Sequence, residues 1–128
     1  MRRLVPVLTL GLAAAFLAPA ANLPRPASEF EVKLPTGRQV NVNDHRGKVV
    51  VVEILLTTCP HCQKSARILS SLYKEYGPKG LQPIGAAIND NALALVPDFV
   101  KAQGVTYPVG VARREDAYRF LQHDMMRP

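Results

Sequence analysis

The chain has 128 residues, the size of one domain, and 48% of them are hydrophobic, which is enough to build a buried core. Its formal charge is +6, from 16 Lys and Arg residues against 10 Asp and Glu residues. The basic residues are scattered and are not interleaved with aromatic residues, so the composition indicates a solvated basic surface and no nucleic-acid partner.

The N-terminus has the pattern of an export signal. Met1-Arg2-Arg3 is basic, residues 4–17 are mostly apolar, and Ala18-Pro19-Ala20 is typical of a cleavage site. We therefore predict a signal peptide over residues 1–20 and a periplasmic or otherwise exported domain, in a compartment that favours disulfide chemistry. An uncleaved membrane anchor over residues 4–21 is the alternative, and only in that case would the protein be attached to a membrane.

After a proline-containing linker over residues 21–29, the hydrophobic pattern alternates between strand and helix. It predicts a β-hairpin over 30–42, strands over 49–56, 81–88 and 105–112, and helices over 60–76, between Asn91 and Gly104, and over 117–122. Pro97 is expected to break or restart the second helix, and Pro108 is expected to place the last strand at a sheet edge. The alternation from residue 49 onward predicts an α/β fold with parallel strands and right-handed crossovers.

The only two cysteines of the chain, Cys59 and Cys62, lie where the apolar strand ends and the first helix begins. Pro60 suits the first helical position, because its missing N–H costs no hydrogen bond there. The positive end of a helix stabilises a thiolate, and in a Cys-X-X-Cys sequence the pKa can fall from about 8.5 to between ~3.5 and 7.5. We predict that Cys59 is the exposed nucleophile, that Cys62 is the resolving thiol, and that a protonated His61 between them favours the Cys59 thiolate.

A single acid, Glu53, interrupts the apolar strand six residues before Cys59. A carboxylate is expensive to bury, so its presence in a buried strand indicates a function. We predict that Glu53 lies beneath the cysteines and takes the proton of Cys62 when that thiol resolves a mixed disulfide. The alternative is that the strand lies at a sheet edge and that Glu53 faces water.

Other uses of the cysteine pair have less support. A structural disulfide between Cys59 and Cys62 would close so short a loop that it would constrain little of the unfolded chain. The histidines do not have the spacing of a zinc site, and a glutamine stands where covalent haem attachment needs a histidine. The alternative function is a copper(I) metallochaperone that binds through both cysteines and either His61 or the pair Met125 and Met126.

Four segments, taken in order, resemble the exported TlpA/ResA-like thiol–disulfide oxidoreductases of the thioredoxin-like superfamily, whose neighbours are the redoxin and AhpC/TSA families. They are Arg46-Gly47-Lys48-Val49-Val50-Val51, Cys59-Pro60-His61-Cys62, Tyr76-Gly77-Pro78-Lys79-Gly80-Leu81 and Tyr107-Pro108-Val109. The resemblance implies a thioredoxin-like fold, with a central sheet flanked by helices and an N-terminal β-hairpin. It also implies dithiol–disulfide exchange without a cofactor, with the cysteine pairs of exported proteins and an upstream redox protein as partners.

Within this resemblance, Glu53 is similar to the buried acid of thioredoxin, and the Pro-His pair is similar to that of the oxidising DsbA proteins. Leu56 stands three residues before Cys59, where a peroxiredoxin would have Thr or Ser, so a peroxiredoxin-like peroxidase is the less favoured alternative. Thioredoxin-like proteins end with a cis-proline loop, a β-hairpin and a helix, whereas this sequence stops at Pro128. We therefore expect residues 30–128 to form a partial domain that lacks the C-terminal hairpin and helix.

Overall fold

The structure is a computed structural model that describes residues 26–121. Its elements are β1 (Glu31–Lys33), β2 (Gln39–Asn41), β3 (Val49–Leu55), α1 (Pro60–Tyr76), β4 (Leu81–Ala87), α2 (Ala92–Gln103), β5 (Val109–Val111) and α3 (Arg114–Leu121), with short 3₁₀ turns over Val42–His45 and Gly77–Lys79. The predicted signal peptide over residues 1–20, and the residues Met125, Met126 and Pro128, lie outside the described residues.

The five strands form one mixed sheet in the order β2-β1-β5-β4-β3. β3, β4 and β5 run parallel, with Glu53 opposite Gly85 and Gly85 opposite Val109. β1 runs antiparallel to both β2 and β5, so the predicted N-terminal hairpin extends the parallel part of the sheet. The expectation of an α/β fold with parallel strands after residue 49 is confirmed.

Each face of the sheet carries its own hydrophobic cluster, because successive strand residues point to opposite faces. On one face, Leu55 of β3 packs with residues of α1 and α2. On the other face, Val50, Val52 and Ile54 pack toward α3 and the hairpin. By the same alternation, Glu53 lies on the face of Leu55, beneath α1 and α2.

The prediction that Pro108 places the last strand at an edge is wrong. β5 begins only at Val109 and lies in the middle of the sheet, between β1 and β4. Pro108 precedes the strand and uses only its carbonyl, which accepts a hydrogen bond from Gly85 N at 2.9 Å. The missing N–H of this proline therefore removes no hydrogen bond from the sheet.

Two other prolines lie inside elements without interrupting them. In β4, the N–H of Gly85 points toward β5, so the nitrogen of Pro83, two residues earlier, faces the same side. β5 has not yet begun at the level of Pro83, so the sheet needs no N–H there. α2 continues through Pro97, so the prediction that this proline breaks or restarts the helix is wrong. The carbonyl that this proline leaves without a helical partner belongs to Leu93, which is exposed and can be solvated.

α1 begins at Pro60 and ends at Tyr76, as the sequence predicts. Its buried residues, Ala66 and Ser70, are one turn apart and face the sheet, which fixes the side of the helix that packs on the core. No helix within residues 26–121 has both the length and the apolar character needed to cross a bilayer.

Candidate active site

The two cysteines lie at the junction between β3 and α1. Cys59 is the N-cap of α1, with an extended backbone (φ −82°, ψ 120°), and Pro60 is the first helical residue. The Cys59 carbonyl accepts the hydrogen bond of Gln63 N at 3.0 Å, which starts the helix. This arrangement directs the unpaired N–H groups of the first turn toward the side chain of Cys59.

The environment lowers the pKa of the Cys59 thiol. The Cys59 side chain makes no capping hydrogen bond of ordinary geometry, but its sulfur lies near the backbone N–H of Cys62, the thiol of Cys62 and the backbone N–H of His61. The N–H of Cys62 is the largest cause of the lowered pKa, and the Cys62 thiol adds to it. Cys59 is partly exposed, so this thiolate can be approached from solvent.

The environment raises the pKa of the Cys62 thiol. Burial is the largest cause, partly offset by a hydrogen bond with the backbone of Leu56. The thiol of Cys59 and the negative charges of Cys59 and Glu53 raise it further. The two thiols are therefore close together and differ in their readiness to ionise, with Cys59 the more acidic.

Glu53 lies on the sheet face covered by α1 and is partly buried, although β3 is at one end of the described sheet. Its Oε2 accepts a hydrogen bond from the hydroxyl of Tyr107 at 2.7 Å. Its Oε1 is buried and has no hydrogen-bond partner among the described residues. The alternative that Glu53 faces water from an edge strand is therefore wrong, because the pleat turns the side chain inward.

The loop between β3 and α1 is held by a side chain from the far end of β4. Asn89 Oδ1 accepts a hydrogen bond from Thr57 N at 3.0 Å, and Asn89 Nδ2 donates to Thr57 Oγ1 at 3.1 Å. Gln63 Nε2 donates to the Thr57 carbonyl at 3.1 Å, which connects the same loop to α1. These contacts fix the position of the loop that precedes Cys59.

The two thiols of Cys59 and Cys62 thus lie close together, and the charge of Glu53 acts on Cys62. His61 is exposed and contributes its backbone N–H to the environment of Cys59, and Pro60 is exposed at the start of the helix. Tyr107 was not among the site residues predicted from the sequence, because 54 positions separate it from Glu53 and no local pattern connects them. Its place beside Pro108, in a segment that resembles the family, was the available signal.

Comparison with known proteins relates the chain to thiol–disulfide exchange proteins. The sequence profile of redoxins matches residues 19–121. The thiol-disulfide oxidoreductase ResA of Bacillus subtilis is 26% identical over 83 residues, and that of Bacillus thuringiensis strain Al Hakam is 29% identical over 85 residues. These alignments cover 65% and 66% of this chain, and 46% and 49% of the respective relatives, so the chain spans about half the length of the curated relatives it matches.

A solved structure shows the same fold. The thiol:disulfide interchange protein of the thioredoxin family from Chlorobium tepidum TLS superposes with a TM-score of 0.64 and 29% sequence identity. The superposition covers 75% of this chain and 66% of that protein. The expected thioredoxin-like architecture, a central sheet flanked by helices, is confirmed.

Proposed function

The chain belongs to the redoxin family, and we propose that it is a thiol–disulfide oxidoreductase whose redox centre is Cys59-Pro60-His61-Cys62. The observation that carries the proposal is the position of the two thiols at the start of α1, with Cys59 at the N-cap and Cys62 one turn further on. The pKa of Cys59 is lowered at the helix start, whereas that of Cys62 is raised by burial one turn further on. A nucleophile and a resolving thiol need this difference, because each must ionise at a different stage of exchange.

In the reducing direction, the Cys59 thiolate attacks one sulfur of a partner disulfide. A mixed disulfide forms, and one partner sulfur leaves as a thiolate. Cys62 then loses its proton to Glu53 and attacks the Cys59 sulfur. The Cys59–Cys62 disulfide forms, the second partner sulfur leaves, and two electrons have passed to the partner. The oxidising direction is the same sequence in reverse.

The proposed partners are cysteine pairs of exported proteins and an upstream redox protein that restores the starting state of Cys59 and Cys62. The export pattern over residues 1–20 supports this placement, since disulfides persist in oxidising compartments. In an exported compartment, the cysteine pairs of other proteins are free to form or exchange disulfides. These pairs can serve as substrates for a Cys-X-X-Cys protein.

Trapping of the mixed disulfide tests the proposal. The full chain carrying Cys62→Ser should form a stable covalent adduct with a peptide closed by an internal disulfide, because the resolving thiol is gone. The matched variant Cys59→Ser should form little adduct, since the thiol that remains is the buried one with the raised pKa. An adduct through Cys62, or none in either variant, would contradict the assignment.

A copper(I) titration of the wild-type chain separates the alternative function. The oxidoreductase should turn over peptide disulfides whether or not copper is present. Stoichiometric copper(I) binding by Cys59 and Cys62, without disulfide exchange, would favour the metallochaperone. Rapid consumption of peroxide without exchange would favour the peroxidase alternative.

A further inference from the structure

We propose that Tyr107 is a positioning residue for Glu53: its hydroxyl holds one carboxylate oxygen, so that the other oxygen is presented to the proton of Cys62. The inference rests on the proposed function and adds to it a residue 54 positions away from the acid. It concerns the second step of exchange, the resolution of the mixed disulfide by Cys62.

The contact between the two side chains is enclosed. Tyr107 is only 4% exposed, and its hydroxyl lies 2.7 Å from Glu53 Oε2. A phenolic O–H donates to a carboxylate, so this bond occupies Oε2 and leaves Oε1 as the acceptor. Oε1 is buried without a partner among the described residues, a costly state for a carboxylate oxygen that calls for an explanation, such as a role in catalysis.

The tyrosine is held on several sides. Its ring packs in the cluster that contains Ala66 and Phe99. The next residue, Pro108, accepts the hydrogen bond of Gly85 N at 2.9 Å, and the preceding residue, Thr106, donates its N–H to Ser70 Oγ at 3.3 Å. The segment that carries Tyr107 is therefore anchored to both β4 and α1, so its hydroxyl can fix the orientation of a carboxylate on β3.

Two titratable groups of the described residues interact with Glu53 from the elements packed against it: Tyr107, from the segment before β5, donates a hydrogen bond, and Cys62, from α1, packs against the same cluster and is affected by the charge of Glu53. From β4, the residue opposite Glu53 is Gly85, which brings no side chain. Burial, the hydrogen bond to Glu53 and the charge of Glu53 raise the pKa of the Tyr107 hydroxyl far above its ordinary value. Tyr107 therefore donates a hydrogen bond throughout, and the proton that moves passes from Cys62 Sγ to Glu53 Oε1.

Loss of the hydroxyl should move the pH dependence of resolution upward. The hydrogen bond from Tyr107 compensates part of the negative charge of Glu53, and that charge raises the pKa of Cys62. Without the bond, the less compensated charge opposes the Cys62 thiolate more strongly. The apparent midpoint of resolution therefore rises.

The experiment uses the reaction of the full, reduced chain with 5,5′-dithiobis(2-nitrobenzoate) in a stopped-flow instrument. Attack by Cys59 releases the first thionitrobenzoate, and resolution by Cys62 releases the second. For Tyr107→Phe we expect the midpoint of the second phase to rise by about one pH unit, with resolution about tenfold slower below it. The first phase should change by less than about twofold, since Cys59 attacks before Glu53 acts.

Three further variants make the result specific. Tyr73→Phe removes the hydroxyl of a second tyrosine, which is partly buried and packs against the same cluster, and it should keep the wild-type profile. Glu53→Gln should slow the second phase and spare the first, and adding Tyr107→Phe to it should bring no further shift, because the tyrosine acts through the acid.

The outcomes separate the two proposals. If the wild-type chain shows no second release of thionitrobenzoate, the proposed function itself is contradicted. If the wild type resolves normally and Tyr107→Phe keeps its midpoint, only the role of Tyr107 is overturned. An equal loss of both phases in Tyr107→Phe, or the same shift in Tyr73→Phe, would assign the tyrosine a general packing role and overturn the inference.

Discussion

At the residue scale, the difference between the two thiols comes from their positions one helical turn apart. Cys59 receives the N–H groups of the first turn, whereas Cys62 is partly withdrawn from water and lies near the charge of Glu53. The same three-residue spacing thus produces one acidic and one weakly acidic thiol. This is the arrangement in which attack and resolution occur in a fixed order.

Alkylation should reveal this order directly. Because the pKa of Cys59 is lowered, its thiolate persists as the pH falls, whereas the thiolate of Cys62, whose pKa is raised, is lost first. At mildly acidic pH, iodoacetamide should label Cys59 well before Cys62, as measured by peptide mass spectrometry over time. Equal rates, or faster labelling of Cys62, would contradict the assignment of the nucleophile.

The reduction potential should depend on His61. A positive imidazole beside the Cys59 thiolate stabilises the dithiol form more than the disulfide, which makes the pair more oxidising. His61→Ser should therefore lower the potential by tens of millivolts, where about 30 mV corresponds to ~1.4 kcal/mol. The potential is measured by equilibration with glutathione.

Lys64→Ser is the matched control for His61→Ser. It removes an exposed cation from the same helix, one residue beyond the first turn, so solvent and salt should screen its effect on Cys59. A potential that is unchanged or raised in His61→Ser, or a larger shift in Lys64→Ser, would show that the imidazole does not act on the sulfur.

At the scale of elements, the central position of β5 depends on a close approach to β1. Lys33 of β1 pairs with Val111 of β5, and a methyl group at the preceding residue, Gly110, would lie 2.4 Å from the Lys33 carbonyl oxygen. The neighbouring atoms are largely backbone and cannot move aside without separating the strands. A glycine is therefore needed where the hairpin joins the parallel strands.

Gly110→Ala should destabilise the fold by about 1–3 kcal/mol, the usual cost of overpacking. The free energy of unfolding is measured by denaturant titration followed by circular dichroism. Gly85→Ala serves as the comparison, because its added methyl would meet the side chains of Val109 and Leu55, which can adjust more easily than backbone. A smaller loss for Gly110→Ala than for Gly85→Ala would contradict the close approach of β1 and β5.

At the scale of the whole molecule, the strand that leads into the redox centre, β3, lies at one end of the described sheet. Within residues 26–121, no strand pairs with its outer side. The Val49 N–H bonds to Gly80, so the backbone groups of the alternate residues Val50, Val52 and Ile54 face outward. An apolar strand with a free edge readily pairs with another chain.

We therefore expect the chain to self-associate, and Val49→Lys to reduce that association. Val49 is 68% exposed at the start of β3, where a lysine can interrupt edge-to-edge pairing without entering the core. Light scattering as a function of concentration measures the effect. Leu93→Lys, a change at a 49% exposed residue of α2 away from the edge, should reduce association less. Equal effects would indicate general hydrophobic attraction instead of strand pairing.

The sequence by itself determined the features that depend on neighbouring residues. The bounds of α1, the hairpin and the placement of Cys59 at a helix start all follow from local signals: a proline at the first helical position, apolar spacing of three and four, and turn residues. These signals act within about one or two helical turns or across a short turn, so they can be read without knowledge of the rest of the chain.

Only the tertiary structure decided which segments are neighbours. The apolar run of β3 indicates that the strand is buried, but not which residue covers it, so the hydrogen bond between Tyr107 and Glu53 could not be read from the sequence. The same limit explains the error at Pro108, because a proline shows that an N–H is missing but not where the strand begins. Strand order and contacts over long separations are set by how both faces of the sheet pack at once, which is a property of the whole chain.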